Sequence, residues 1–150
     1  MNNEQIYKTI MDKMDIILPN EWSKLVIGAN IENNSYEIFF YIYNTNDEKP
    51  ISGYDLPGVE EDEIDDLMDY IYEILMLQLK ELSDKGKELW KTITIVLDRN
   101  SIVDIEYGYN SIEDMYAYKT IWKYKYLNIQ PIENESYANK VLNDYKKQYI

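Results

Sequence analysis

Apolar residues recur along this chain at two periods, and the alternation between them outlines the fold. Ile6, Ile10, Met14 and Ile17 are spaced by four and three, which predicts a helix over 3–17 that Pro19 stops. Leu25-Val26-Ile27 suggests a strand between Trp22 and Ile31, weakened by Gly28 and Ala29, and Asn33-Asn34 reads as a tight turn. Ser35 to Asn44 carries the strongest strand signal. It is apolar on both alternating sets except at Glu37, as expected of a central strand covered on both faces. Pro50, Gly53, Pro57 and Gly58 mark a loop from Asn44 to Gly58, with a short strand expected near Ile51 to Tyr54.

The longest helix is expected over about Val59–Lys85. Ile64, Leu67, Met68, Ile71, Leu75, Leu79 and Leu82 form its apolar stripe, and Gly86 follows as a C-terminal cap. From Leu89 to Asp98, Ile93, Ile95 and Leu97 alternate with Thr92, Thr94 and Val96. Arg99-Asn100 turns the chain, and Val103, Ile105 and Tyr107 then alternate with Ile102, Asp104 and Glu106. This is a second hairpin with one wetter face. Ser111, followed three residues on by Asp114, resembles the N-cap of a helix running to about Leu127. Pro131 ends the next loop, and Asn134 to Tyr149 reads as a last helix. The expected class is α+β: a mostly antiparallel sheet of two hairpins, four to five strands, packed with about four helices. With no repeat, low-complexity tract or linker visible, residues 1–150 are expected to form a single domain.

Composition narrows the chemistry. With 150 residues and no cysteine, disulfide scaffolds, thiol catalysis and cysteine zinc sites are excluded. Histidine is absent too, which removes Ser-His-Asp and Cys-His catalysis, HExxH zinc sites and His-carboxylate iron sites. No apolar run approaches the roughly 18 residues of a membrane span, and the polar start Met1-Asn2-Asn3-Glu4 does not resemble a signal peptide. The expected location is the cytoplasm. No Walker-type phosphate loop or GxGxxG is present, and Asn44 to Lys49 places a lysine where a calcium loop needs glycine. The Asp-x-Lys spacing of a metal-dependent nuclease occurs only at Asp47–Lys49 and Asp144–Lys146, one in a loop and one in a helix. No cofactor or metal is expected.

Charge is the informative quantity. Twenty-eight acids against 15 bases give a net −13. Between Asn44 and Glu73 there are eleven acids and one base, so this stretch alone carries ten of the 13 excess charges. From Tyr116 onward, six lysines face three acids. Such a chain is polarised. Strong acidity disfavours nucleic acid and anionic membranes as partners and favours a basic protein. Acids also simply keep small proteins soluble, and those in a first helical turn stabilise it by about 0.3–1 kcal/mol each. That accounts for Glu60 to Glu63. Asp65, Asp66 and Asp69 lie beyond the first turn and repel neighbours at i+3 and i+4. Glu61, Asp62, Asp65, Asp66 and Asp69 are therefore the candidate partner-binding residues, on a face away from Leu67 and Ile71. Sixteen tyrosines are compatible with a binding surface. The accompanying 21 Ile and 14 Asn equally fit A/T-rich codon usage and ordinary packing.

In Trp122-Lys123-Tyr124-Lys125-Tyr126-Leu127-Asn128-Ile129-Gln130-Pro131, Trp122 and Tyr126 fall one helical turn apart while Lys123 and Lys125 can snorkel. This stretch resembles the YezG/EsaG-like antitoxin family of Gram-positive bacteria. Other segments agree in order: Ile17-Leu18-Pro19-Asn20-Glu21-Trp22, Glu37-Ile38-Phe39-Phe40-Tyr41, Asp55-Leu56-Pro57 and Glu88-Leu89-Trp90. The resemblance runs from about Ile6 to Pro131. It implies an immunity protein without catalytic residues, one that neutralises a cognate toxin, typically a nuclease exported by a type VII secretion system. A basic nuclease toxin domain is then the expected partner, with the oligomeric state open. The alternatives are an acidic adaptor for another protein and a carboxylate-only hydrolase built around two close acids in a pocket.

Overall fold

A computed structural model describes residues 2–18, 21–45 and 49–149, and the chain forms two compact units, Met1–Asn110 and Ser111–Ile150. The expected stop at Pro19 and the acids Asp47 and Glu48 lie outside the described residues. Among those described there are four α-helices and a five-stranded, wholly antiparallel sheet, an α+β fold.

The first unit contains α1 (Asn3–Ile17), β1 (Trp22–Glu32), β2 (Ser35–Asn44), β3 (Ile51–Ser52), a 3-10 turn (Gly53–Asp55), α2 (Glu61–Asp84), β4 (Thr92–Asp98) and β5 (Ile102–Gly108). Asn2 and Gln5 close a reciprocal capping box at the start of α1. Asn33 and Asn34 both take positive φ, 50° and 65°, as a two-residue hairpin turn that follows strand twist requires. The strands lie in the order β3-β2-β1-β4-β5.

This order corrects the expectation for β2. The central strand is β1, buried without a break from Leu25 to Ala29. β2 lies next to the edge, flanked beyond by a strand of only two residues. Ile38, Phe40 and Ile42 are buried on one face, whereas Glu37, Phe39, Tyr41 and Tyr43 are half-buried on the other. Tyrosine and phenylalanine can sit at such a half-wet surface, so their presence made the strand look doubly covered.

A second correction concerns β5. Register shifts between Val96 and Leu97, so Asp104 pairs with Val96 but Ile102 pairs with Leu97. The extra residue is Val103, 59% exposed, while Ile102, Ile105 and Tyr107 share the core-facing side. A bulge reverses the alternation of everything before it, and simple counting placed Val103 on the wrong face.

α2 carries the largest share of the core. Ile64, Leu67, Met68, Ile71, Ile74, Leu75 and Leu79 are buried, joined by Gln78, whose Nε2 donates to Tyr107 Oη at 3.0 Å. The stripe packs with Ile6, Ile10 and Met14 of α1 against Leu25, Ile27, Phe40, Ile42, Ile93 and Ile95 of the sheet. The helix ends where expected: Gly86 at φ +67° lets its own N–H reach Ser83 O and the Lys87 N–H reach Leu82 O. Arg99 ties the β4–β5 turn to α1. Its guanidinium lies 4.8 Å from the Trp22 ring and 3.4 Å from Asp15, and the Tyr7 hydroxyl donates to its carbonyl.

In the second unit, α3 (Met115–Leu127) and α4 (Ser136–Tyr149) form a helical hairpin. The N-cap of α3 is Asp114 rather than Ser111: its carboxylate accepts from the Ala117 N–H at 3.0 Å. The same carboxylate accepts from the Tyr137 hydroxyl of α4, and both bonds hold its pKa below the ordinary carboxylate value. Asn128, with φ 55°, ends α3.

The bulge makes a prediction that separates the two phases of β5. Val103→Asp should change unfolding free energy in urea by no more than about 0.5 kcal/mol, whereas Ile102→Asp should cost about 1–3 kcal/mol. The reverse ranking would restore uninterrupted alternation.

Candidate functional site

Acidic residues open α2 because that end of the helix welcomes them. Glu60 is the N-cap without a side-chain cap bond, and Glu61, Asp62 and Glu63 lie in the first turn at the positive end of the helix dipole. All five candidate residues, Glu61, Asp62, Asp65, Asp66 and Asp69, are exposed. At about 100° per residue they do not point one way. Asp62 and Asp66 lie opposite the buried stripe, Glu61 and Asp65 are turned toward one flank, and Asp69 lies between the two, within reach of that flank.

Tyrosines border that flank. The Tyr54 hydroxyl donates to Asp65 Oδ1 at 2.7 Å, and the Tyr36 hydroxyl donates to Asp69 Oδ1. Tyr36 stacks on Tyr72 of α2 with ring centroids 4.1 Å apart and planes 18° from parallel. Partial burial, the bond to Asp65 and the charges of Asp65 and Glu61 push the Tyr54 phenol up to about 12. The bond to Asp69 is the main cause raising Tyr36. Both rings stay substantially open, 40% exposed for Tyr36 and 49% for Tyr54.

Local structure explains how they arrive there. Tyr36 opens β2 directly after the hairpin turn, where the ladder holds it opposite Ile31. Tyr54 is presented by the 3-10 turn, and Gly53 makes that turn possible. A Cβ on Gly53 would meet the Phe40 ring at 2.4 Å, so only glycine lets the turn lie this close to β2. The sequence reading missed these tyrosines because their abundance hid the few that matter. The usable signal was Gly53-Tyr54 just ahead of an acidic helix.

The result is a negatively charged surface whose carboxylates are partly oriented by phenol donors, with aromatic rings available beside them. Arginine and lysine can pair with such carboxylates and lie over such rings. Among the described residues no group of three or more acids is arranged to hold a metal ion. Asp144, of the second Asp-x-Lys pair, is exposed on α4. No described helix is long and apolar enough to cross a membrane. Two clefts are present elsewhere: one of 560 Å³ bordered by Gln5, Thr9, Leu77, Lys80, Glu81 and Asp84 of α1 and α2, the other of 370 Å³ in the second unit.

The family model for YezG-like immunity proteins matches residues 3–142. This chain belongs to that family. Two proteins named immunity protein YezG are similar to it along most of their length. The one from Bacillus spizizenii strain W23 is 27% identical over 155 residues, spanning 97% of this chain and 91% of the relative. The one from Bacillus subtilis strain 168 is 26% identical over 139 residues, spanning 88% and 92%. Membership in a YezG-like immunity family supports an immunity role and implies a cognate toxin as partner.

The tyrosine border is testable by titration. Tyr54 keeps its proton to about 12 in the folded state but ionises near 10 when unfolded, so its share of stability is complete below about 10 and is lost as pH rises toward 12. Phenolate absorbance should show Tyr54→Phe losing one group that titrates near 12. Asp65→Asn should lower that midpoint only part-way to 10, because burial is the larger cause. Identical curves for Tyr54→Phe and wild type above pH 11 would refute the assignment.

Proposed function

We propose that this protein is a cytosolic antitoxin that holds a cognate nuclease toxin inactive by binding it, until the toxin leaves through a type VII secretion system. One observation carries the reading: Glu61, Asp62, Asp65, Asp66 and Asp69 form an exposed acidic surface, and three of them, Asp65, Asp66 and Asp69, lie beyond the first turn where the helix dipole favours acids. A nuclease is cationic where it grips phosphate, so such a surface is its electrostatic complement. The absence of His and Cys leaves no ordinary nucleophile–base pair, in keeping with inhibition by contact rather than turnover. Neither cofactor nor nucleic acid is part of this account.

Association and lifetime would be divided between the two kinds of residue. The outward carboxylates Asp62 and Asp66 accelerate encounter through long-range attraction. Tyr36 and Tyr54 supply rigid, partly apolar area at little entropic cost, and such contacts set the dissociation rate. Asp65 and Asp69, already held by phenol hydroxyls, are the carboxylates best prepared for a short contact with an arginine or lysine of the toxin.

Replacing Glu61, Asp62, Asp65, Asp66 and Asp69 together by Gln or Asn should slow association with the cognate nuclease toxin domain by about tenfold or more at low salt, and flatten its salt dependence. Unchanged rate and salt slope would remove the electrostatic contact. Capture of an unrelated, non-toxic protein instead would favour the adaptor reading.

A further inference from the structure

The acidic surface accounts for only one of the two units. Residues 1–110 hold 23 acids against nine bases, a net −14, whereas residues 111–150 hold six lysines against five acids, a net +1. The second unit also contains the Trp122–Pro131 stretch, and its residues divide between two tasks. Trp122 and Leu127 are buried, and Asn128 ends α3 in the left-handed conformation. The chain then turns back, so that Ile129 and Pro131 line a cleft of 370 Å³ together with Lys119 and Lys123, one helical turn apart on α3. Glu135 is the single carboxylate in its lining.

We propose that this cleft is a second docking point on the toxin, taking an extended segment that presents a carboxylate beside an apolar side chain. The inference rests on the reading of the partner as a protein toxin. Charge complementarity selects the occupant. Two ammonium groups against one carboxylate leave the lining cationic, opposite in sign to the acidic face of α2, so one partner chemistry does not suit both. Lysine is a flexible point charge and accepts a carboxylate at variable geometry.

The border of the cleft selects a protein segment over a small anion. Ile132 in the lining is 62% exposed, and Tyr116 is 53% exposed. Tyr137, whose ring lies 5.8 Å from that of Tyr116, is 52% exposed. A free phosphate or carboxylate gains nothing from such an apolar border, whereas a polypeptide covers it.

The test is an amide NMR titration of the full chain with a blocked pentapeptide alternating Glu and Leu, beside a Lys/Leu counterpart and inorganic phosphate. The Glu/Leu peptide should shift resonances within 116–123 and 129–138 and leave α2 unmoved. Lys119→Glu/Lys123→Glu should weaken this binding about tenfold or more, and Lys119→Arg/Lys123→Arg, with the same circular dichroism spectrum as wild type, should retain it. Absence of shifts in those residues, equal shifts from the Lys/Leu peptide, or equal shifts from phosphate would each overturn the proposal. With the toxin, the Glu variant should dissociate about tenfold faster. If wild type and Glu variant dissociate alike, the cleft is not a docking point although the antitoxin reading stands. If wild type binds no toxin yet takes the peptide, the antitoxin reading falls and the cleft remains a peptide site.

Discussion

Burial of the inner side of α2 is the interaction on which the rest depends. Ile64, Leu67, Ile71 and Leu75 are each at most 1% exposed. Burying an aliphatic side chain of this size stabilises by about 1.5–3 kcal/mol. A pair of like charges one turn apart on a helix costs about 0.2–0.5 kcal/mol. The apolar stripe therefore outweighs several unfavourable carboxylate pairs on the opposite side, and the helix forms despite its charge. Local repulsion is tolerated rather than relieved, which leaves it available to be relieved by a cation from outside.

The tyrosines convert a diffuse negative potential into a shaped surface. Acids on a helix exterior have mobile side chains, and ordering them on binding costs entropy. Phenol donors at Asp65 and Asp69 reduce that cost beforehand. This arrangement draws on three remote segments: β2 supplies Tyr36, the 3-10 turn supplies Tyr54, and α2 supplies Tyr72 and the acids. The close contact of Gly53 with Phe40 is thus a feature of the sheet that decides the geometry of the surface.

Much of this was legible beforehand, for reasons that differ by element. α1 and β2 begin and end where periodicity placed them, because a strict apolar pattern with clear boundary residues leaves few alternatives. The cap at Gly86 was equally readable, since positive φ is nearly a glycine property. What failed was whatever depends on neighbours. Whether β2 is covered on both faces is decided by strand order, which period alone does not contain. The bulge at Val103 is a misfit between two strands and leaves no mark in either sequence by itself. The acids were visible as a cluster, but their division into outward Asp62 and Asp66 and tyrosine-held Asp65 and Asp69 needed the third dimension. In the Trp122–Pro131 stretch the sequence showed the aromatic spacing and the lysines, but not the turn after Asn128 that brings Ile129 and Pro131 to a cleft beside Lys123.

The central claim is that the exposed carboxylates of α2 beyond its first turn serve a partner and not the fold. Thermal unfolding of the free protein carrying Asp66→Asn and Asp69→Asn, beside the toxin association rate of the same variant, tests it most directly. Both substitutions lie beyond the first turn, and asparagine at 69 keeps an oxygen to accept from Tyr36. The account predicts a melting temperature equal to or above that of wild type, together with slower association. A lower melting temperature with unchanged association would show that these acids belong to the stability of the helix, and would contradict the account.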